Sequence, residues 1–239
     1  MESKLIRKVR FLKVYALVSF VLIAGLIFVG AKPEQKTRFG EVDIERINIV
    51  EPDGSIRMVI SDKTRFPGGI IRGKEYPHDR QTAEVLFFND EKTENGGLIF
   101  GGKKETDGTT TSYGGLSFDA YEQDEVLTLT ARQAGGKKSS GLAIIDRPDF
   151  PIVEAFEALG RIKGLPKDQQ EAEWEKFLAG KPAPLSRLYL GRSPDDSVGL
   201  RLLDAQGRER IQIQVEGDGT PVIKFLDAAG KVVSQLPPK

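Results

Sequence analysis

Hydrophobic positions follow three different rhythms along this chain, and each rhythm predicts a different element. From Val14 to Ala31 no side chain is charged, and most are Leu, Val, Ile, Phe, Ala or Gly. A helix packed on one side would carry a polar stripe, and none interrupts this run. As a helix the run spans ~27 Å, close to the thickness of a bilayer's hydrocarbon core. Phe11 and Leu12 extend it where Lys13 snorkels toward the headgroups. The pattern predicts a transmembrane helix over residues 11–31 behind a head of residues 1–10.

Beyond a polar tether, residues 32–38, the rhythm changes to strict alternation. Ile211, Ile213 and Val215 point one way while Gln212 and Gln214 point the other, which is a strand with one wet face. Leu127-Thr128-Leu129-Thr130 and the set Ile56, Met58 and Ile60 repeat it, whereas Val85 to Phe88 is apolar at both parities and reads as a central strand. An internal repeat accompanies the alternation. Leu200 to Arg208 and Ile223 to Lys231 align as apolar-x-apolar-apolar-Asp-x-x-Gly-basic, and Ile47 to Gly54 keeps the same frame. Eroded copies lie at 85–89, 116–119 and 142–146. Asp followed three residues later by Gly suits a tight turn, because the carboxylate accepts backbone N–H groups and Gly takes a positive φ. The unit is therefore a β-hairpin. Residues 39–239 are expected to form a mainly β domain of repeated hairpins, in a solenoid-like stack or a twisted sandwich.

Helical spacing interrupts the alternation over residues 150–182. Ile152, Phe156 and Leu159 recur on one face, and Gly160 and Gly164 bound a turn. Pro166 opens a second helix whose face is Trp174, Phe177 and Leu178, and Gly180 with Pro182 ends it. This helical pair is expected to cap an open end of the sheet.

Charge fixes an expected topology. Lys and Arg equal Asp and Glu at 35 each, but Lys4, Arg7, Lys8, Arg10 and Lys13 precede the apolar run against Glu2 alone. Positive charge stays inside, so the N-terminus is expected in the cytoplasm and the body on the extracytoplasmic side of a cell membrane. A cleaved secretion signal ending at Val29-Gly30-Ala31 is the alternative, and the length of the run favours a retained anchor. The balanced total gives no sign of a nucleic-acid partner.

Candidate chemistry is sparse. With no cysteine, thiol nucleophiles, thiolate metal sites and disulfides are excluded. Gly97 to Lys103 matches a phosphate-binding G-x-x-x-x-G-K, but Lys104 stands where Ser or Thr would hold magnesium and no helix pattern follows. The single His78 has no histidine partner for a zinc site; Asp79 or Asp62 could orient it as a general base, without a recognisable nucleophile motif. Acidic groups at Asp195-Asp196 and at Glu122, Asp124 and Glu125 lack the spacing of a calcium loop. No catalytic, metal or cofactor residue is therefore assigned. Arg65, Phe66, Arg72, Tyr76, His78 and Arg80 form one Arg- and aromatic-rich stretch and are the candidate interface, since those residue types are enriched at protein contacts. The resulting expectation is a non-enzymatic binding or assembly protein, an accessory subunit with a protein partner in the membrane or envelope. The alternative is an anchored hydrolase acting on an envelope polymer through carboxylates or through His78.

Overall fold

The computed structural model of the protein describes residues 2–30, 37–78 and 80–238. Its N-terminal apolar run is helical, α1 (Glu2–Gly30), and Ser3–Leu26 is long and apolar enough to cross a membrane. From Glu2 onward the basic head is helical as well. Its Lys, Arg and Leu residues favour helix, and no Gly or Pro precedes Gly25, so one helix runs through residues 2–30. Position 31 and most of the tether lie outside the described residues. Such a helix fits a single-pass anchor or a signal sequence.

Residues 44–239 form a second unit and are mainly β. Its strands are β1 (Arg46–Val50), β2 (Ile56–Ser61), β3 (Gly69–Ile71), β4 (Lys74–Tyr76), β5 (Ala83–Phe88), β6 (Glu94–Lys104), β7 (Thr110–Asp119), β8 (Glu125–Ala134), β9 (Lys137–Asp146), β10 (Leu185–Arg192), β11 (Val198–Leu203), β12 (Glu209–Val215), β13 (Pro221–Leu226) and β14 (Val232–Leu236). Twelve of them make one open antiparallel sheet in chain order, while β3 and β4 pair only with each other. Each strand borders the one before and the one after, the linear arrangement expected of stacked hairpins.

One turn is used over and over. At Asp204 the N–H donates to the Arg208 carbonyl and the Gly207 N–H donates back to the Asp204 carbonyl, both at 2.9 Å. The same reciprocal pair opens at Glu51, Asn89, Glu105, Ser193, Glu216 and Asp227. Its fourth position lies in the left-handed region, as at Gly207 (φ 72°) and Gly230 (φ 78°), with Lys92 and Asp196 adopting it in two copies. Two variants of side-chain support exist. Asp204 and Asp227 stand first and accept backbone N–H bonds from within the turn. Asp53, Asp107, Asp195 and Asp218 stand third and accept from the Ser or Thr two residues on. The second variant, Asp-Gly-Ser/Thr in three of its four copies, makes most of the turns at the other end of the strands, and the Asp-x-x-Gly frame does not reveal it.

Register turns the alternation into long cross-strand ladders. Ile47 pairs with Ile60, and the row continues through Val85, Leu98, Leu116 and Leu129. It runs on through Leu142, Leu190, Leu200, Ile213, Ile223 and Leu236, so every one of the twelve strands contributes an Ile, Leu or Val. A parallel row on the same face includes Met58, Phe87, Phe118, Leu127, Ile144 and Leu188. The opposite face is polar or small along most of its length, with Ser117, Thr128, Arg201, Gln212 and Lys224 in one row. That row turns apolar at Val59 and Leu86, which are buried.

The reason lies in the insertion between β2 and β5. The small hairpin β3–β4 and its flanking loops cover this part of the polar face, and Ile56, Phe66 and Ile70 pack on the buried Val59, Leu86 and Phe88. Val85 to Phe88 of β5, like Met58 to Ile60 of β2, is apolar at both parities because these strands have this cover on one side and the ladder on the other. The helical pair, α2 (Ile152–Ile162) and α3 (Lys167–Leu178), falls where the spacing predicts it. It does not cap an open end of the sheet. The edges are β1 and β14, whereas Phe156 of α2 lies against the Tyr76 ring at 5.8 Å and close over Gly69. Within α2 the buried residues are Ala158 and Ile162, and Leu159 is exposed. The helix turns toward the β3–β4 hairpin, which the spacing of large residues alone does not register.

Candidate functional site

A cleft of about 590 Å³ opens on the polar face between the sheet, the β3–β4 hairpin and α2. Its floor is Gly97, Gly115, Ser117, Thr128 and Thr130, small side chains on the central strands that leave room above the sheet. Ile70, Ile152 and Phe156 form an apolar wall. The helix is held there by main chain: the Ile152 N–H donates to the Glu122 carbonyl at 2.8 Å, and Gln123 Nε2 donates to the Pro148 and Phe150 carbonyls. Glu122 sits at positive φ in the β7–β8 turn, is buried, and receives a two-pronged ion pair from Arg72.

Charge concentrates at one end of the cleft. Arg80 donates to Glu84 (3.0 Å) and Glu94 (2.7 Å), with its guanidinium 5.4 Å from the Phe66 ring centre. Arg147 pairs with Asp124 and Glu125 and donates through Nε to the Glu125 carbonyl. Carboxylates outnumber these cations. Burial pushes Asp119 up to about 7, with the charges of Glu125, Glu94 and Asp124 adding to it, and its Oδ1 has no hydrogen-bond partner. Burial likewise raises Glu125 to about 7, assisted by a hydrogen bond shared with Asp124. Glu94 is raised by burial as well, despite Arg80. Near neutral pH the cluster therefore holds protons that free carboxylates would have lost, the state in which a carboxyl donates a hydrogen bond or moves a proton. Among the described residues, no group of three or more His, Asp or Glu side chains is placed to hold a metal ion.

The stretch read from sequence as an interface is distributed through this region rather than laid out on one surface. Tyr76 is buried against Phe156, and Arg80 is nearly buried in its ion pairs. Phe66 is half-buried beneath Arg80. His78 lines the cleft with its ring 6.2 Å from Phe156, while Asp79 lies outside the described residues. Arg65 and Arg72 keep exposed side chains, each paired with an acid, Glu45 and Glu122. Gly97 to Lys103 is part of strand β6, so its backbone N–H groups belong to the sheet and cannot cradle a phosphate. Asp119 is not singled out by the sequence because it is one acid beside a turn among many, and Glu125 stands out there only as a member of an acidic turn, with no sign of its burial.

The other face carries no cleft chemistry and a larger anomaly. Its ladders are exposed: Leu129 is 55% accessible, Leu190 52% and Phe118 51%. Scattered exposed apolar residues are ordinary, but a contiguous face of them marks an interaction site. The chain matches no protein-family model and no curated protein.

Proposed function

We propose that this protein is a membrane-anchored assembly subunit that presents its β body on the extracytoplasmic side and contributes the ladder face to a larger complex. The exposed, uncharged ladder crossing all twelve strands carries this reading, because water contact over so much apolar surface is costly and association removes it. The basic head before the apolar helix supports the orientation. Two measurements test it. Protease added to intact spheroplasts should remove the body and spare α1; protection of the body would overturn the orientation. Full-length chain extracted in mild detergent should migrate as a stoichiometric assembly that Leu190→Glu disperses. Migration as a single chain, unaltered by that substitution, would overturn the assembly role.

A second reading attaches to the cleft. Asp119 and Glu125, titrating near 7 beside an apolar wall, have the properties of a carboxyl pair in a polymer hydrolase. Hydrolysis of an envelope polymer that both Asp119→Asn and Glu125→Gln abolish would establish it, and cleavage indifferent to both would remove it.

A further inference from the structure

Resting on the assembly reading above, we propose that the partner on the ladder face is another copy of this same chain, so that the sheet's apolar side is closed by self-association.

Three observations select that occupant. The first is extent. Twelve strands at ~4.8 Å spacing make the face ~53 Å across, and three ladder rows cover on the order of 1,000 Å² per copy, or ~2,000 Å² for a pair, which reaches the size of obligate homodimers. A different protein would need an equally long apolar face, whereas a second copy has one by construction and meets it about a two-fold axis. Two such sheets pack face to face at ~10 Å, as in a sandwich.

The second is charge. The third row, from Ala83 through Phe100 and Gly114 to Val198, Val215 and Pro221, contains Arg192 as the only ionised group found in any of the three. A surface that selects a distinct partner distinguishes it by complementary charge, and these three rows offer a single charged group. It resembles half of a divided protein core.

The third is the kind of apolar residue. The rows hold Ile, Leu, Val, Phe and Met, while Tyr113 and Tyr189 stand on the opposite face and Trp174 on α3. Faces that rest in a bilayer surface place Trp and Tyr at the headgroups and ring themselves with Lys and Arg. The composition here is that of protein interior.

The chain has no cysteine, so single cysteines introduced at Leu129 and Leu190 are unique handles. Both side chains are exposed in the single chain, which therefore tolerates replacement there. Two differently tagged full-length copies are co-expressed, and native membranes are treated with a short bis-maleimide. Leu129→Cys and Leu190→Cys should each yield a product of twice the chain mass, or of a higher whole multiple, carrying both tags. Gln212→Cys on the polar face should yield at least tenfold less. Adding Leu200→Glu to Leu129→Cys should abolish the product, with circular dichroism of the purified variant showing the strand content retained. Equal crosslinking from Gln212→Cys would mark random collision and overturn the proposal. Crosslinking of Leu129→Cys only to a different polypeptide would overturn it and leave the assembly reading standing. Loss of every crosslink, together with lipid retained on the purified chain and released by Leu200→Glu, would overturn both.

Discussion

Asp119 links the electrostatics of the cleft to a measurable stability. In the unfolded chain this carboxyl titrates near 3.8, and in the folded protein burial raises it to about 7, with no partner for Oδ1 to offset the cost of ionisation. Below pH 3.8 both states are protonated and the group is neutral to folding. Between 3.8 and 7 the folded state retains a proton the unfolded state has released, so stability falls as pH rises and levels off above 7. The full shift corresponds to a ceiling of ~4 kcal/mol. The cleft is open to water and salt, which screen the charge and reduce the expected penalty to ~1–2 kcal/mol. Asp119→Asn keeps the side-chain shape and removes the ionisation. At pH 8 the substitution should therefore stabilise by ~1–2 kcal/mol, raising Tm by roughly 2–8 °C. The gain should shrink steadily on acidification and disappear near pH 4. Thermal unfolding of full-length protein in detergent, followed by circular dichroism at fixed protein concentration from pH 4 to 8, measures this. A gain of equal size at every pH would attribute the effect to packing, and a loss at pH 8 would refute the assignment of an uncompensated charge.

Three other outcomes follow from the geometry. Arg80→Ala leaves Glu84 and Glu94 facing each other without their cation and should lower stability by ~2–4 kcal/mol at pH 7, with denaturant midpoints as the readout; a change below ~0.5 kcal/mol would show that the pair is solvated. Gly230→Val meets no neighbouring atom, so its cost is backbone strain alone at ~1–2 kcal/mol, while Gly207→Val adds a clash with Leu185, whose Cδ2 would lie 3.0 Å from the new Cβ, and should cost more; equal melting temperatures for both variants and the parent would dismiss the turn geometry. The turn carboxylates run opposite to Asp119: hydrogen bonds from Ser and Thr lower Asp53, Asp107, Asp195 and Asp218, so their stabilisation is present above about 3.8 and is lost as pH falls further. Asp107→Asn should make acid unfolding less steep, and an unchanged acid limb would count against these bonds.

Local pattern alone determined the elements of this protein. An uncharged apolar run makes a membrane-length helix whatever surrounds it, and period-two alternation makes strands with one wet face because successive side chains leave a strand on opposite sides. The Asp-x-x-Gly turn is equally local, since its hydrogen bonds lie within five residues, and so is the helical spacing at 150–182. Tertiary structure decided what those elements face. Ile213 is an apolar position of an alternating strand and Val59 stands at the parity that Arg57 and Ser61 mark as wet, yet Val59 is buried beneath the β3–β4 hairpin and Ile213 stands exposed on the ladder. Neither strand fixes this by itself, because the cover on Val59 comes from the hairpin that follows β2 and folds back over it. The same holds for Arg80 and Asp119, a loop arginine and a turn aspartate in sequence, whose environment is created by β6, β7 and α2 converging on one cleft. Burial and the electrostatics that follow from it are properties of neighbours in space, and the chain supplies those only after the sheet has set its register.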